Sequence, residues 1–180
     1  MKPLSEIYLD YQSPEGHGDK GTAHSYINDY EKLLNEYREN STVLEIGICQ
    51  GESLKMWDEY FINSNVYGID ITDQYIKHLI AENKYNIIIG DACSENILKH
   101  LNDLTFDVII DDGSHKIDDQ INSFNILKNK MKSNGIYIIE DIQNLDSTID
   151  RYKELHNNVE IIDNRHIKNR FDDVLVIYKF

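Results

Sequence analysis

Two stretches, Phe106-Asp-Val-Ile-Ile-Asp-Asp-Gly-Ser-His115 and Gly135-Ile-Tyr-Ile-Ile-Glu-Asp141, decide the fold. Each is a short apolar run that ends abruptly in acid. Runs of β-branched residues without polar alternation read as strands buried on both faces, the kind that parallel sheets contain. In an open α/β sheet, ligands bind just beyond the carboxyl ends of the strands. The sequence therefore puts Asp111, Asp112, Glu140, Asp141 and His115 at the edge where chemistry is expected. Like charges gathered so closely repel one another, and a cation among them relieves the repulsion.

Working outward, the same strand–helix alternation recurs. Upstream lies Thr42-Val-Leu-Glu-Ile-Gly-Ile-Cys-Gln-Gly-Glu-Ser53, a strand running into a glycine-punctuated turn. A helix with Leu54, Met56, Trp57, Tyr60 and Phe61 inward follows. Gly47 and Gly51 let the backbone approach a ligand, and the helix start offers free N–H groups. Cys49 stands where the dinucleotide fingerprint has its middle glycine. Asp70 ends the second strand, Val66–Asp70, about 20 residues after that turn, a spacing that suits the hydroxyls of a ribose. The competing role for Asp70 is to cap the next helix, which is expected over residues 74–82. Asp91 ends a third strand, within reach of a nucleoside base.

The fourth and fifth strands bring the acidic stretches. The helix between them is expected to carry Ile117, Ile121, Phe124, Leu127 and Met131 inward and to stop at Ser133-Asn-Gly135. A helix near residues 145–155 follows. Two last strands, Val159–Ile162 and Val174–Tyr178, are joined by a polar connection (163–173) with no helical pattern, so they are expected to be antiparallel. Near the start, Tyr26, Tyr30, Leu33, Leu34 and Tyr37 mark a helix from Ser25 onward. Residues 1–24 read as irregular, because Pro14, Gly16, Gly18 and Gly21 interrupt any regular element. The expected architecture is a single α/β domain over 1–180: a doubly wound, mostly parallel seven-stranded sheet, a terminal antiparallel pair, and helices on both faces.

Composition narrows the function. The 180 residues carry a net charge of −14, which disfavours binding a nucleic acid polymer. No apolar run approaches the ~20 residues of a membrane span, and the N-terminus lacks a signal-peptide core. Two cysteines without Cys-x-x-Cys spacing fit a reducing cytoplasm.

Asp112, Glu140 and Asp141 offer hard oxygen ligands, suited to Mg²⁺, Mn²⁺ or Ca²⁺ rather than to structural zinc. A vicinal diol suits the positions such an ion leaves open. His115, just past Asp112, is placed to take a hydroxyl proton. The alternative roles are plain: Asp112 or Ser114 capping the next helix, and His115 an ordinary turn residue. Two acid pairs ending successive core strands favour the metal site.

At this point the chain resembles class I S-adenosylmethionine-dependent methyltransferases. More narrowly, it is similar to the metal-dependent sugar O-methyltransferases of the macrocin and mycinamicin type. The residues that carry the resemblance are Asp19-Lys-Gly-Thr-Ala-His24, Leu44–Leu54, Met56-Trp57, Tyr67–Asp70, Gly90-Asp91, Asp111–His115 and Ile139–Asp141. The resemblance implies that Glu45, Gly47 and the loop after it, through Gly51 and Ser53, hold the methionine part of S-adenosylmethionine. It implies that Asp70 holds the ribose, that Asp91 and Ala92 lie near the adenine, and that Asp111 supports the cofactor side. It implies Mg²⁺, or another hard divalent cation, on Asp112, Glu140 and Asp141, with His115 as the general base. The segment 19–24, with Thr22, closes over the cofactor.

Mycinamicin-type members carry an added N-terminal domain for which this chain has no room, so a homo-oligomer is expected to supply acceptor contacts. The acceptor is expected to be a saccharide, a glycoside or a nucleotide-activated sugar. A catechol-type enzyme, which uses a Lys base, is disfavoured by His115. A nicotinamide-dependent oxidoreductase is disfavoured by Cys49 and the terminal strand pair. A non-catalytic binding module has no need to gather these charges.

Overall fold

The structure is a computed structural model and describes residues 1–12 and 18–180. The chain runs α1 (Leu4–Tyr11), α2 (Ile27–Leu34), β1 (Thr42–Ile46), α3 (Glu52–Tyr60), β2 (Asn65–Asp70), α4 (Lys77–Glu82) and β3 (Asn86–Ile89). It continues with α5 (Leu98–Leu101), β4 (Phe106–Asp111), α6 (Ile117–Leu127), β5 (Met131–Ile139), α7 (Leu145–Lys153), β6 (Val159–Asp163), α8 (Arg165–Lys168) and β7 (Val174–Lys179). The seven strands form one sheet in the order β3-β2-β1-β4-β5-β7-β6. β1 to β5 are parallel, and β7 runs antiparallel to both β5 and β6. The expected doubly wound sheet and its antiparallel pair are borne out.

Strand alternation divides the core into two layers. Val43, Val108, Ile110, Ile136, Ile138 and Ile177 meet α1, α2 and α3 on one face. Leu44, Ile46, Ile109, Tyr137, Ile139 and Val176 meet α5, α6 and α7 on the other. Burial on both faces is why β4 and β5 read as unbroken apolar runs.

Four expectations need correction. Residues 4–11 form α1, with Leu4, Ile7 and Tyr8 buried at helical spacing against the first layer. The breakers blamed for an irregular start lie after this helix, and Pro14 and Gly16 fall outside the described residues. The helix before β5 stops at Leu127, and Met131 to Gly135 already belong to the strand, with a register shift opposite Phe106 and Val108. The buried side of α6 is Gln120, Ser123, Phe124 and Leu127, with Ile117 and Ile121 only partly covered. Residues 165–168 form a single helical turn where none was expected.

Candidate active site

Gly47 opens the site. It has φ +82°, and a Cβ there would lie 2.1 Å from the backbone oxygen of Asp112. Only glycine lets the β1–α3 loop lie against the segment that follows β4. Asp70 then pins the loop: its carboxylate accepts from the Cys49 N–H at 3.1 Å and from the Thr72 N–H at 3.0 Å. Asp70 thus ties the loop to the start of the next segment and does not cap α4, whose first turn has no side-chain cap.

Two adjoining cavities follow the carboxyl edge of the sheet and share Gly47, Asp70 and Gly113. The first is mostly apolar and holds Asp91, Ala92, Asp111 and Ser123. The second is more polar and holds Asp19, Lys20, Ser53, Asp112, His115 and Asp141. Of the residues expected around a cofactor, Gly47, Ser53, Asp70, Asp91, Ala92 and Asp111 line this trough. Thr22, Glu45, Gly51 and Glu140 do not line it. The Thr22 hydroxyl accepts from Tyr8, and Gly51 opens α3 in the left-handed region.

The alternation that built the core also parts each acidic pair. Asp111 faces the second layer, where its carboxylate accepts from Ser123, from Tyr137 at 3.3 Å and from the Gly113 N–H at 3.2 Å. Burial raises its pKa to about 6. Glu45 and Glu140 face the first layer. Glu45 accepts from Trp57 Nε1 at 3.0 Å and from the Ser53 hydroxyl at 2.9 Å, and burial raises its pKa to about 7. Glu140 Oε1 accepts from Lys20 and from the Tyr30 hydroxyl, each at 2.6 Å. Burial, and then Asp112, push the Glu140 pKa well up.

Asp112 and Asp141 lie just past the strand ends with His115. One ligand atom from each of these three falls within 4.8 Å of the others. His115 Nδ1 stands 4.0 Å from Asp112 Oδ1 and 3.8 Å from Asp141 Oδ2, and has no hydrogen-bond partner among the described residues. Both His115 (φ +59°) and Asp141 (φ +56°) adopt left-handed backbone, strain of the kind that collects at functional sites. Burial, then the charge of Asp112, raises the Asp141 pKa to about 8. Neither Asp112 nor Ser114 caps α6, whose start has no side-chain cap; the Ser114 hydroxyl accepts from the Lys116 N–H, at 3.3 Å, just before the helix.

The cation that the crowded acids require is present in the chain itself. Lys20 is 2% exposed, and its Nζ lies 2.6 Å from Asp112 Oδ2, 2.6 Å from Glu140 Oε1 and 3.7 Å from Glu45 Oε1. Burial alone lowers a lysine pKa; here Asp112, Glu140 and Glu45 outweigh it and raise it well above normal. Such a lysine stays protonated and cannot serve as a base. The sequence reading named the segment around Lys20 but gave this residue no role. The signal was there: a lone cation on a glycine-flanked turn, in a chain rich in acid. Tyr26 and Tyr30, read simply as an apolar stripe, also turn their hydroxyls onto Asp141 and Glu140.

A family model described as a methyltransferase domain matches residues 38–175. The chain belongs to this methyltransferase family. The chain is 34% identical over 138 residues to 8-demethyl-8-alpha-L-rhamnosyl tetracenomycin-C 2'-O-methyltransferase of Streptomyces olivaceus, covering 71% of this chain and 36% of that protein. It is 34% identical over 149 residues to demethylmacrocin O-methyltransferase of Streptomyces fradiae, covering 77% of this chain and 36% of that protein. Among solved structures, the MycE methyltransferase of the mycinamycin pathway, in complex with Mg and SAH, superposes with a TM-score of 0.75 at 26% identity. That match covers 99% of this chain and 55% of MycE. The resemblance to sugar O-methyltransferases is therefore borne out at the level of family and fold. The chain spans little more than a third of the length of these curated relatives, 36% of each. Among the described residues, no helix is long and apolar enough to cross a membrane.

Proposed function

We propose that this methyltransferase-family chain is a metal-dependent, S-adenosylmethionine-dependent O-methyltransferase acting on a hydroxyl of a saccharide or glycoside. One observation carries the reading: Asp112, His115 and Asp141 converge beside a trough that also holds Gly47, Asp70 and Asp91. The relatives' names, all O-methyltransferases and one acting on a rhamnosyl compound, support the acceptor class.

In this reading the apolar cavity takes the nucleoside, with Asp70 toward the ribose and Asp91, Ala92 and Asp111 around the base. Gly47, Gly51 and Ser53 shape the loop on the methionine side, Glu45 braces that loop through Ser53, and Thr22 belongs to the strap above it. The bound cofactor supplies a methyl group on a sulfonium. The donor set fits a hard divalent ion: Asp112 and Asp141 present carboxylate oxygens to the polar cavity, and Glu140 stands directly behind them. When bound, such an ion lowers the pKa of an acceptor hydroxyl and fixes its direction. His115 Nδ1, without another partner, takes the hydroxyl proton. The left-handed turns at His115 and Asp141 hold both side chains toward the cavity, so positioning supplies much of the rate. Acceptor contacts from a second copy of the chain complete the proposal.

The test is calorimetric binding of S-adenosylmethionine and its demethylated product with and without Mg²⁺, followed by an acceptor screen among glycosides and sugar nucleotides. Binding, with Mg²⁺-dependent turnover lost in His115→Ala, is expected. A folded protein that binds neither compound overturns the reading.

A further inference from the structure

Three carboxylates share a pattern, although only Asp112 and Asp141 reach the cavity: each has one oxygen held by a residue from the start of the chain. Asp112 gives Oδ2 to Lys20 and leaves Oδ1 toward His115. Asp141 gives Oδ1 to the Tyr26 hydroxyl at 2.8 Å and leaves Oδ2 toward His115. Glu140 gives Oε1 to both Lys20 and Tyr30. All three holders come from one short segment of chain, far in sequence from the acids they hold.

We infer that Lys20, with Tyr26 and Tyr30, forms the outer shell of the ion site, and that Lys20 is a positioning residue that fixes how Asp112 and Glu140 are presented. The inference rests on the metal-dependent reading above. Lys20 and an incoming ion use different oxygens of Asp112, so the lysine is not a plug that the ion must expel. Nor is the ammonium free to wander: it is buried, and carboxylates from the ends of three adjacent strands surround it.

Orientation and charge predict opposite effects of removing Lys20, which makes the inference testable. If Lys20 acted only as a repelling positive charge, Lys20→Met would tighten the binding of every divalent cation alike. If it orients ligands, the loss falls hardest on the ion with the strictest geometry. Mg²⁺ demands near-ideal octahedral coordination, whereas Ca²⁺ accepts irregular sites. Loss of an outer-shell partner costs about 10–100-fold in metal affinity.

The experiment is calorimetric titration of Mg²⁺ and, separately, Ca²⁺ into the wild-type chain, Lys20→Met and Tyr26→Phe, each first shown to be folded by thermal melting. In Lys20→Met, Mg²⁺ affinity is expected to fall about 10–100-fold and Ca²⁺ affinity to fall much less, so the Mg²⁺:Ca²⁺ preference drops. Tyr26→Phe keeps the ring and removes the bond to Asp141 together with the hydroxyl's bonds to the Asp172 and Val174 backbone; it should shift the preference the same way and decides the matter if Lys20→Met does not fold. An unchanged preference in both variants, or tighter binding of both ions in Lys20→Met, overturns the inference. If the wild-type chain binds neither ion, the metal reading falls and takes this inference with it. Wild-type binding with unaltered variants removes the inference alone.

Discussion

Replacing Glu45 with Gln should flatten the pH dependence of stability. Glu45 is fully buried, and burial outweighs the help it gets from Lys20, Trp57 and Ser53, so its pKa rises from 4.5 to about 7. The unfolded chain holds that carboxyl near its ordinary value. The folded state therefore binds the proton more tightly. The favourable contribution is complete below pH ~4.5 and is lost as the pH rises through about 7. At ~1.4 kcal/mol per pKa unit, the whole effect is about 3 kcal/mol, an order-of-magnitude figure. Asp111, raised to about 6 by burial, adds a loss of the same sign over a slightly more acidic range. The difference between wild type and Glu45→Gln isolates Glu45. The assay is urea denaturation in EDTA at several values between pH 5 and pH 8, followed through the single tryptophan, Trp57, which touches Glu45. The two stability curves should lie together at low pH, where Glu45 is protonated, and diverge as the pH rises and wild type alone loses stability. Parallel curves would show that Glu45 titrates normally in the fold and that its burial is offset by Lys20.

Gly47→Ala should cost about 2–4 kcal/mol, since it adds a Cβ 2.1 Å from the Asp112 backbone at a left-handed position; denaturation at wild-type urea concentrations would contradict that packing. His115→Gly should abolish methyl transfer yet keep, or raise by up to ~1 kcal/mol, the stability of the fold, because glycine accepts φ +59° without strain; a marked fall in melting temperature would mean His115 is structural. Leu4→Ala should cost about 3 kcal/mol if α1 is part of the core, and almost nothing if residues 1–24 are a loose arm; chemical denaturation separates the two.

What the sequence revealed and what it hid have the same cause. The runs Val108–Ile110 and Ile136–Ile139 were legible because strands covered on both faces leave no polar gap. The sites at their ends were legible because a parallel sheet gathers its strand ends along one edge. The start of β5 was missed because Ser133-Asn-Gly135 has helix-stop chemistry, while pairing with β4 keeps Met131 in the sheet. The single turn at residues 165–168 is too short to show a helical period. The helix α1 was overlooked although Leu4, Ile7, Tyr8 and Tyr11 are spaced to form a stripe, because the breakers that follow were allowed to govern the whole segment.

The division of labour among the acids follows from parity along the strands. Residues two apart share a face. Ile138 belongs to the first layer, so Glu140 must point there; Val43 belongs to it too, so Glu45 must as well. Ile109 belongs to the second layer, and Asp111 therefore turns to Ser123 and Tyr137. β1, β4 and β5 are adjacent in the sheet, so Glu45 and Glu140 flank the end of β4 on one side of it. Two buried carboxylates on either side of Asp112 concentrate negative charge at one point of the first layer. Lys20, on the segment leading into α2, reaches that point. The Tyr30 hydroxyl joins it on Glu140 Oε1, and the Tyr26 hydroxyl donates to Asp141 Oδ1. The cavity face is thereby left with Asp112 Oδ1, Asp141 Oδ2 and His115, and the inward face is closed by the chain's own cation. If this face takes the ion proposed above, its oxygens are aimed before the ion arrives.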